Sequence, residues 1–237
     1  MQDCLSEPEV AVISDIHGNL EALRAALGVI DQRRISQVLF LGDLLGYYYE
    51  ASECLRLLQE FKLYPVLGNH EEMFRQLKLG QLDSKDLRVN YGSSLIRLLD
   101  VNDENIHSFI ANLPLVRDLK FENVHLKMAH GDFASCHNYV YPNSSQSVFE
   151  LIDTPGVDIV LLGNTHRQMF RVGNYSQIIN PGSVGMSKSR MNNVQIAIIN
   201  LTFQSVEFHN INYSPRNTLE QVLSFDPDCK ILRKYLR

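Results

Sequence analysis

The chain has 237 residues, of which 45% are hydrophobic, so it can bury a sizeable core and is too apolar for a disordered chain. Its formal net charge of −5 argues against a nucleic-acid partner recognised by a chain-wide basic surface. Four scattered cysteines (Cys4, Cys54, Cys136, Cys229), a polar start MQDCLSEPEV and no apolar run of spanning length lead to the expectation of a cytoplasmic protein with reduced thiols and no membrane partner.

Beginning at Val10, VAVIS is a β-branched apolar run of strand length that ends at Asp15. Leu20, Leu23, Leu27 and Ile30 then recur at three- and four-residue steps, the period of a helix. The buried-type strand Gln37–Leu41 ends at Gly42-Asp43, a helix follows around Leu55, Leu58 and Phe61, and a short strand 64–67 ends at Gly68-Asn69-His70. Three strand–loop–helix units in succession imply right-handed crossovers and a parallel sheet with helices on its faces.

From Met73 to Leu113 the pattern is helical and polar, punctuated at Gly80, Asn90-Tyr91-Gly92 and Val101-Asn102-Asp103 into about three helices. Strands near 116–121 and 125–129 flank Glu122-Asn123, which reads as a hairpin turn. The second strand ends at His130. A helix around 146–152 leads to the strand 158–162 and then to Gly163-Asn164-Thr165-His166. Strands follow at 168–172, 177–180, 195–200 and 204–210, and the tail 217–237 is helical with a break at Asp226-Pro227. The expected fold is α/β: one domain over 1–237, a four-layer α-β-β-α sandwich of two mixed sheets, with a helical insertion at about 73–113 and a helical tail.

In open α/β folds, functional groups gather in loops at the carboxyl ends of strands. Here five expected strands end in Asp15-Ile16-His17, Gly42-Asp43, Gly68-Asn69-His70-Glu71, His130-Gly131 and Gly163-Asn164-Thr165-His166. Asp, Asn and His offer hard oxygen and borderline nitrogen donors suited to Mn, Fe, Zn, Ni or Co. Seven or eight such donors are too many for one tetrahedral zinc and suggest two adjacent ions sharing a carboxylate. Turn preference explains isolated Asp, Asn and Gly residues, but not five histidine- or carboxylate-bearing tips in order.

The order DxH, GD, GNH followed by an acid, a lone His and a final G-x-x-H resembles the calcineurin-like metallophosphoesterase superfamily. ISDIHGNLEAL, GDLLGY and INPGSVG (179–185) are similar to its small bacterial and archaeal phosphodiesterase branch. The resemblance covers roughly residues 10–200. It implies that Asp15, His17 and His166 hold one metal, that Asp43 bridges two, and that Asn69, His130 and the residue at 164 hold the second. It further implies that His70 stabilises the transition state or protonates the leaving oxygen, and that Glu71 orients His70 by a hydrogen bond. Where the family usually has His, this chain has Asn164, a weaker ligand through its amide oxygen, which points to a weakened second site or one tuned toward Mn or Mg.

The function expected is hydrolysis of a small, nucleotide-like phosphoester, diester or monoester, by a hydroxide between two divalent ions of Mn, Fe, Zn, Ni, Co or Mg. The rival is a scaffold or regulatory protein of the same fold, which predicts eroded ligands. Arg190, with Ser187 and Lys188, follows PGSVG and is the candidate for the substrate phosphate, balanced against an ordinary solvated loop. Tyr47, Tyr48 and Tyr49 stack on an aromatic leaving group or, for at least two of them, pack in the core. Asp132 and His137 are weaker candidates for the pocket lining. Homo-oligomers are compatible with the sequence, which has no feature that selects an oligomeric state.

Overall fold

The computed structural model describes residues 8–121, 123–189 and 191–236. Two five-stranded sheets make its centre. The first, in the order β10-β9-β1-β2-β3, comprises β1 (Glu9–Ile13), β2 (Gln37–Phe40), β3 (Lys62–Pro65), β9 (Asn193–Asn200) and β10 (Ser205–Asn212). The second, in the order β4-β5-β6-β8-β7, comprises β4 (Val116–Phe121), β5 (Val124–Ala129), β6 (Ile159–Leu161), β7 (Gln168–Val172) and β8 (Gln177–Pro181). The pairs β1/β2, β2/β3, β5/β6 and β6/β8 are parallel, and the remaining pairs are antiparallel. Both sheets are therefore mixed, as expected.

The layering follows from the two-residue period of strands, because alternate side chains of one strand enter different cores. Val10 and Val12 of β1 and Leu39 of β2 face the second sheet, where they meet Leu126, Met128, Ile159, Leu161 and Ile179. Their neighbours Ala11, Ile13, Val38 and Phe40 face the other way, onto α1 (Leu20–Gln32), α2 (Ala51–Leu58) and the helices that follow β3. The outer face of the second sheet, including Val160 and Ile178, is covered by Phe149 and Ile152 of α7 (Gln146–Ile152). Strands that bury both faces read as continuous apolar runs, which is why VAVI and QVLF lack alternation. Helix, sheet, sheet and helix thus form four layers.

The segment after β3 departs from expectation at its start. A helix was expected from about Met73, but α3 runs Asn69–Lys78 and takes Asn69, His70 and Glu71 into its first turn. Glu71 sits at the third helical position and accepts the N–H of Gly68, the residue before the helix, at 3.0 Å, which is one half of a capping box. The helices α4 (Ser84–Tyr91), α5 (Ser94–Val101) and α6 (Glu104–Ala111) follow. Their breaks fall at the expected punctuation, with Gly80, Gly92 and Asn102 all at positive φ.

The tail forms α8 (Arg216–Phe225) and α9 (Lys230–Lys234), interrupted at Asp226-Pro227. Val222, Leu232 and Leu236 pack on Tyr47, Tyr48 and Met186, so the tail backs the loops after β2 and β8. Among the described residues no helix is long and apolar enough to cross a membrane.

Candidate active site

The parallel strands β1, β2, β5 and β6 point their carboxyl ends to one edge of the sandwich, and the loops there bring the motifs together. Asp15, His17, Asp43, His70, His130 and His166 supply three overlapping groups of donor atoms, each group within 4.8 Å: Asp15/His17/His166, His17/Asp43/His70 and Asp15/Asp43/His130. All six residues are buried. Asp15, His17, Asp43, Asn164 and His166 have positive φ of 54–62°, a conformation that non-glycine residues adopt only when their surroundings enforce it.

The enforcement is visible in backbone hydrogen bonds. Asp15 N–H donates to Gly42 O (3.0 Å) and His17 N–H to Asp43 O (2.9 Å), which couples the loops after β1 and β2. The INPGSVG segment, whose role the sequence left undefined, clamps the first of these loops from the far side. Gly185 N–H and the Ser183 hydroxyl both donate to Asp15 O at 2.9 Å. A side chain at 185 is excluded, because its Cβ would stand 2.0 Å from Ile16 O.

Three imidazoles are set in the same way. Nδ1 of His17 is bonded to Leu45 O (2.9 Å), Nδ1 of His130 to Leu41 O (2.5 Å) and Nδ1 of His166 to Met186 O (2.7 Å). Donation from Nδ1 leaves Nε2 as the inward-facing nitrogen of each ring. Nε2 of His166 lies 3.2 Å from Nε2 of His17 and 3.2 Å from Oδ1 of Asp15. Nε2 of His130 lies 3.3 Å from Oδ2 of Asp43 and 3.0 Å from Oδ1 of Asn69.

Two donors each about 2.1 Å from a shared ion are roughly 3.0–3.4 Å apart, so these spacings fit a divalent cation. Asp15 supplies the stronger test. Both of its oxygens are buried without a hydrogen-bond partner among the described residues, a costly state for a carboxylate that a cation relieves. Asp43 stands between the groups, with Oδ2 3.8 Å from His17, 3.3 Å from His130 and 3.9 Å from His70.

The electrostatics agree with that placement. Burial would raise Asp15, but His166 and His130 outweigh it and hold the carboxyl below its usual value. Burial likewise opposes ionisation of Asp43, and His130 and His70 override it. Burial depresses His17 well below an ordinary histidine. A neutral His17 that donates through Nδ1 presents a bare Nε2 to His166, and two nitrogens that close need a proton or a cation between them. Burial would depress His130, but Asp43 outweighs it and holds the imidazole up to about 9. His70 is pushed down to about 4 by burial and is neutral at pH 7.

One expected role needs correction. Glu71 does not reach the His70 ring. Its Oε2 accepts N–H of Asp43 (2.8 Å) and Gly68 (3.0 Å), and its Oε1 accepts N–H of Leu45 (3.0 Å). Helix geometry is the reason: as the third residue of α3, Glu71 points back over the helix start, toward the loop after β2. Burial, aided by Asp43, raises Glu71 to about 7 against those hydrogen bonds. The backbone N–H of His70 donates to Oδ1 of Asp43 (2.9 Å), and its ring Nε2 stands 3.9 Å from Oδ2 of the same carboxylate.

Asn164 spends both amide hydrogens on the loop after β5, with Nδ2 donating to Cys136 O (3.2 Å) and Asn138 O (2.8 Å). It anchors that loop, and its Oδ1 is the amide atom that those bonds leave free for another partner.

Of the remaining candidates, Arg190 lies outside the described residues. Lys188 is half-buried; burial lowers its ammonium and the carboxylates of Asp15 and Asp43 raise it, so it lies within electrostatic reach of the site. Asp132 is occupied by its own turn, accepting N–H of Ala134 and Ser135 and the Asn138 amide, and His137 is exposed. Tyr48 is core and Tyr49 donates to Asp226, whereas the Tyr47 ring lies 4.6 Å from that of His17. The sequence reading missed Tyr91, whose ring contacts His70. A tyrosine before Gly92 in a polar helical segment carries no signal of chemistry.

An uncharacterized protein of Methanocaldococcus jannaschii is 28% identical over 233 residues, which is 90% of this chain and 91% of that protein. Among solved structures, a hypothetical protein from Pyrococcus horikoshii matches with a TM-score of 0.83 at 16% identity, covering 97% of this chain and 98% of the other. A metallophosphoesterase from Sphaerobacter thermophilus matches with a TM-score of 0.73 at 24% identity, covering 91% and 93%. At these identities the structures attest the fold alone. The calcineurin-like phosphoesterase superfamily domain matches residues 9–202, a stretch that contains every loop bearing a candidate ligand, and the chain belongs to that superfamily.

Proposed function

We propose that the protein is a hydrolase of small phosphoesters that works with two divalent ions. The first would be held by Asp15, His17 and His166, the second by Asn69, His130 and the Oδ1 of Asn164, with Asp43 between them. One observation carries this reading: three imidazoles, each fixed through Nδ1 to a backbone carbonyl, turn Nε2 onto buried carboxylates, and among the described residues only imidazole nitrogens approach the oxygens of buried Asp15, with no hydrogen bond formed to either. A scaffold has no use for that arrangement, which costs stability unless a cation is bound.

Bound divalent ions supply neutralisation of phosphoryl charge and a water acidic enough to act as nucleophile near neutral pH. The chain's own groups do the rest. Neutral His70, with Nε2 facing Asp43 Oδ2 at 3.9 Å, donates a hydrogen bond to the leaving oxygen as it gains charge. Lys188 binds a non-reacting phosphate oxygen as a point charge, the part first given to Arg190. Positive-φ backbone at Asp15, His17, Asp43 and His166 holds the ligands in place before substrate arrives, so little reorganisation accompanies reaction.

The test is hydrolysis of an aryl phosphodiester and an aryl monoester by metal-stripped protein reloaded with Mn, Ni, Zn or Mg. Turnover is expected to require metal and to fall by about 10²–10⁴-fold in His70→Ala. A folded protein that binds no metal and turns over neither ester refutes the reading.

A further inference from the structure

Among the described residues, none gives the His70 ring a hydrogen bond to set it. Glu71 is turned away, and Nδ1 of His70 is buried without a partner among the described residues. The bond from its backbone N–H to Asp43 leaves both side-chain torsions unspecified. Packing surrounds the ring instead. Gly46, at φ +96, lies against it so closely that a Cβ would stand 2.0 Å from Nδ1; position 46 thus excludes a side chain twice, by conformation and by space.

The Tyr47 ring lies 5.0 Å from His70 at 44°, and the Tyr91 ring meets it edge-on at 5.2 Å and 87°. Tyr47 and Tyr91 also meet each other at 5.8 Å. Edge-on aromatic contacts have a preferred direction, so they restrict rotation as well as position. Tyr91 closes α4, a helix outside the two sheets whose one buried residue is Leu87.

We propose that Tyr91 is a positioning residue: α4 delivers its ring against His70 and, with Tyr47 and Gly46, holds the imidazole in line with the leaving group. An aromatic cage thereby takes the place of the carboxylate–imidazole bond. The helical segment after β3 then has a purpose beyond covering the core, since its correct docking decides where His70 points. The catalytic part of this inference rests on the role given to His70 above.

The experiment compares Tyr91→Phe, Tyr91→Leu and Tyr91→Ala in the full chain, with metal content measured for each. Tyr91→Phe keeps the ring and is expected to retain most of the wild-type kcat. Tyr91→Leu and Tyr91→Ala are expected to lose about ten-fold or more in kcat, as a misplaced catalytic group does, with KM and bound metal unchanged. Full kcat in Tyr91→Ala, or equal losses in Tyr91→Phe and Tyr91→Ala, overturns the proposal.

A second readout needs no turnover: the ring ¹⁵N–¹H signals of His70 in the metal-free protein, assigned with His70→Ala. They are expected to match between wild type and Tyr91→Phe and to broaden or shift in Tyr91→Ala. Superimposable signals in all three defeat the positioning claim. Inactive wild-type protein with the expected signals defeats only the functional reading.

Discussion

At the scale of single residues, the candidate ligands were legible because their chemistry is local. Asp, His and Asn beside glycine, each at the end of an apolar run, identify themselves by type and spacing. The hydrogen-bond targets of those residues were not legible. Glu71 follows His70 directly, and adjacency suggested that the one orients the other, but in a helix neighbouring residues point about 100° apart. Its carboxylate instead holds Asp43, Leu45 and Gly68 by their N–H groups, which makes Glu71 the pin between α3 and the loop that carries Asp43. Replacing it by Ala leaves three buried donors unsatisfied, at a cost of about 1–3 kcal/mol for each group. Denaturant unfolding of Glu71→Ala is therefore expected to show a loss of at least about 3 kcal/mol together with weakened metal uptake. A variant as stable as wild type contradicts the pin.

At the scale of elements, periodicity placed the strands to within a residue or two, and the breaks at Gly80, Gly92 and Asn102 fell where glycine and asparagine permit positive φ. The start of α3 moved because its cap is a glycine with a reaching glutamate, a weaker signal than Ser, Thr or Asp at that position. The expected break at Asp226 proved to be a junction. Asp226 is buried and accepts the N–H and hydroxyl of Ser93 (2.8 and 2.6 Å) and the hydroxyl of Tyr49 (2.7 Å), which joins α8 to the start of α5 and to the loop after β2.

Burial would raise the Asp226 carboxyl, but the Ser93 and Tyr49 hydrogen bonds prevail and hold it below the usual 3.8. A depressed carboxyl stabilises the fold fully above its unfolded value and loses that contribution as pH falls toward its folded value. Stability measured from about pH 5 down to about pH 2 is accordingly expected to fall less steeply in Asp226→Asn than in wild type, from a starting point about 1–2 kcal/mol lower. Parallel curves would remove Asp226 from the acid limb.

At the scale of the whole molecule, the candidate ligands are divided between the layers. Asp15, His17 and Asp43 follow strands of the first sheet, and His130, Asn164 and His166 follow strands of the second. A cation held by both groups cross-links the sandwich, so metal affinity appears as global stability. With free metal at 100 times its dissociation constant, the gain is about 2.7 kcal/mol. Thermal unfolding of wild type is expected to shift upward on loading with the metal that supports turnover, and Asp15→Asn to abolish most of that shift. An equal shift in the variant would place the binding elsewhere.

What the sequence by itself determined follows from its short-range order. Apolar runs, helical periods, turn residues and donor-bearing tips specified two mixed sheets between helices and an edge rich in metal-type ligands. These signals survive in one dimension because backbone period and side-chain chemistry are properties of neighbouring residues. Only the tertiary structure decided which atoms meet: Glu71 with the β2 loop, Asn164 with the carbonyls of residues 136 and 138, the PGSVG loop with the backbone of Asp15, and Tyr91 with His70. Each of these contacts joins residues set by different loops or helices. Their partners are chosen by how the layers stack and how the loops cross, which no local pattern encodes.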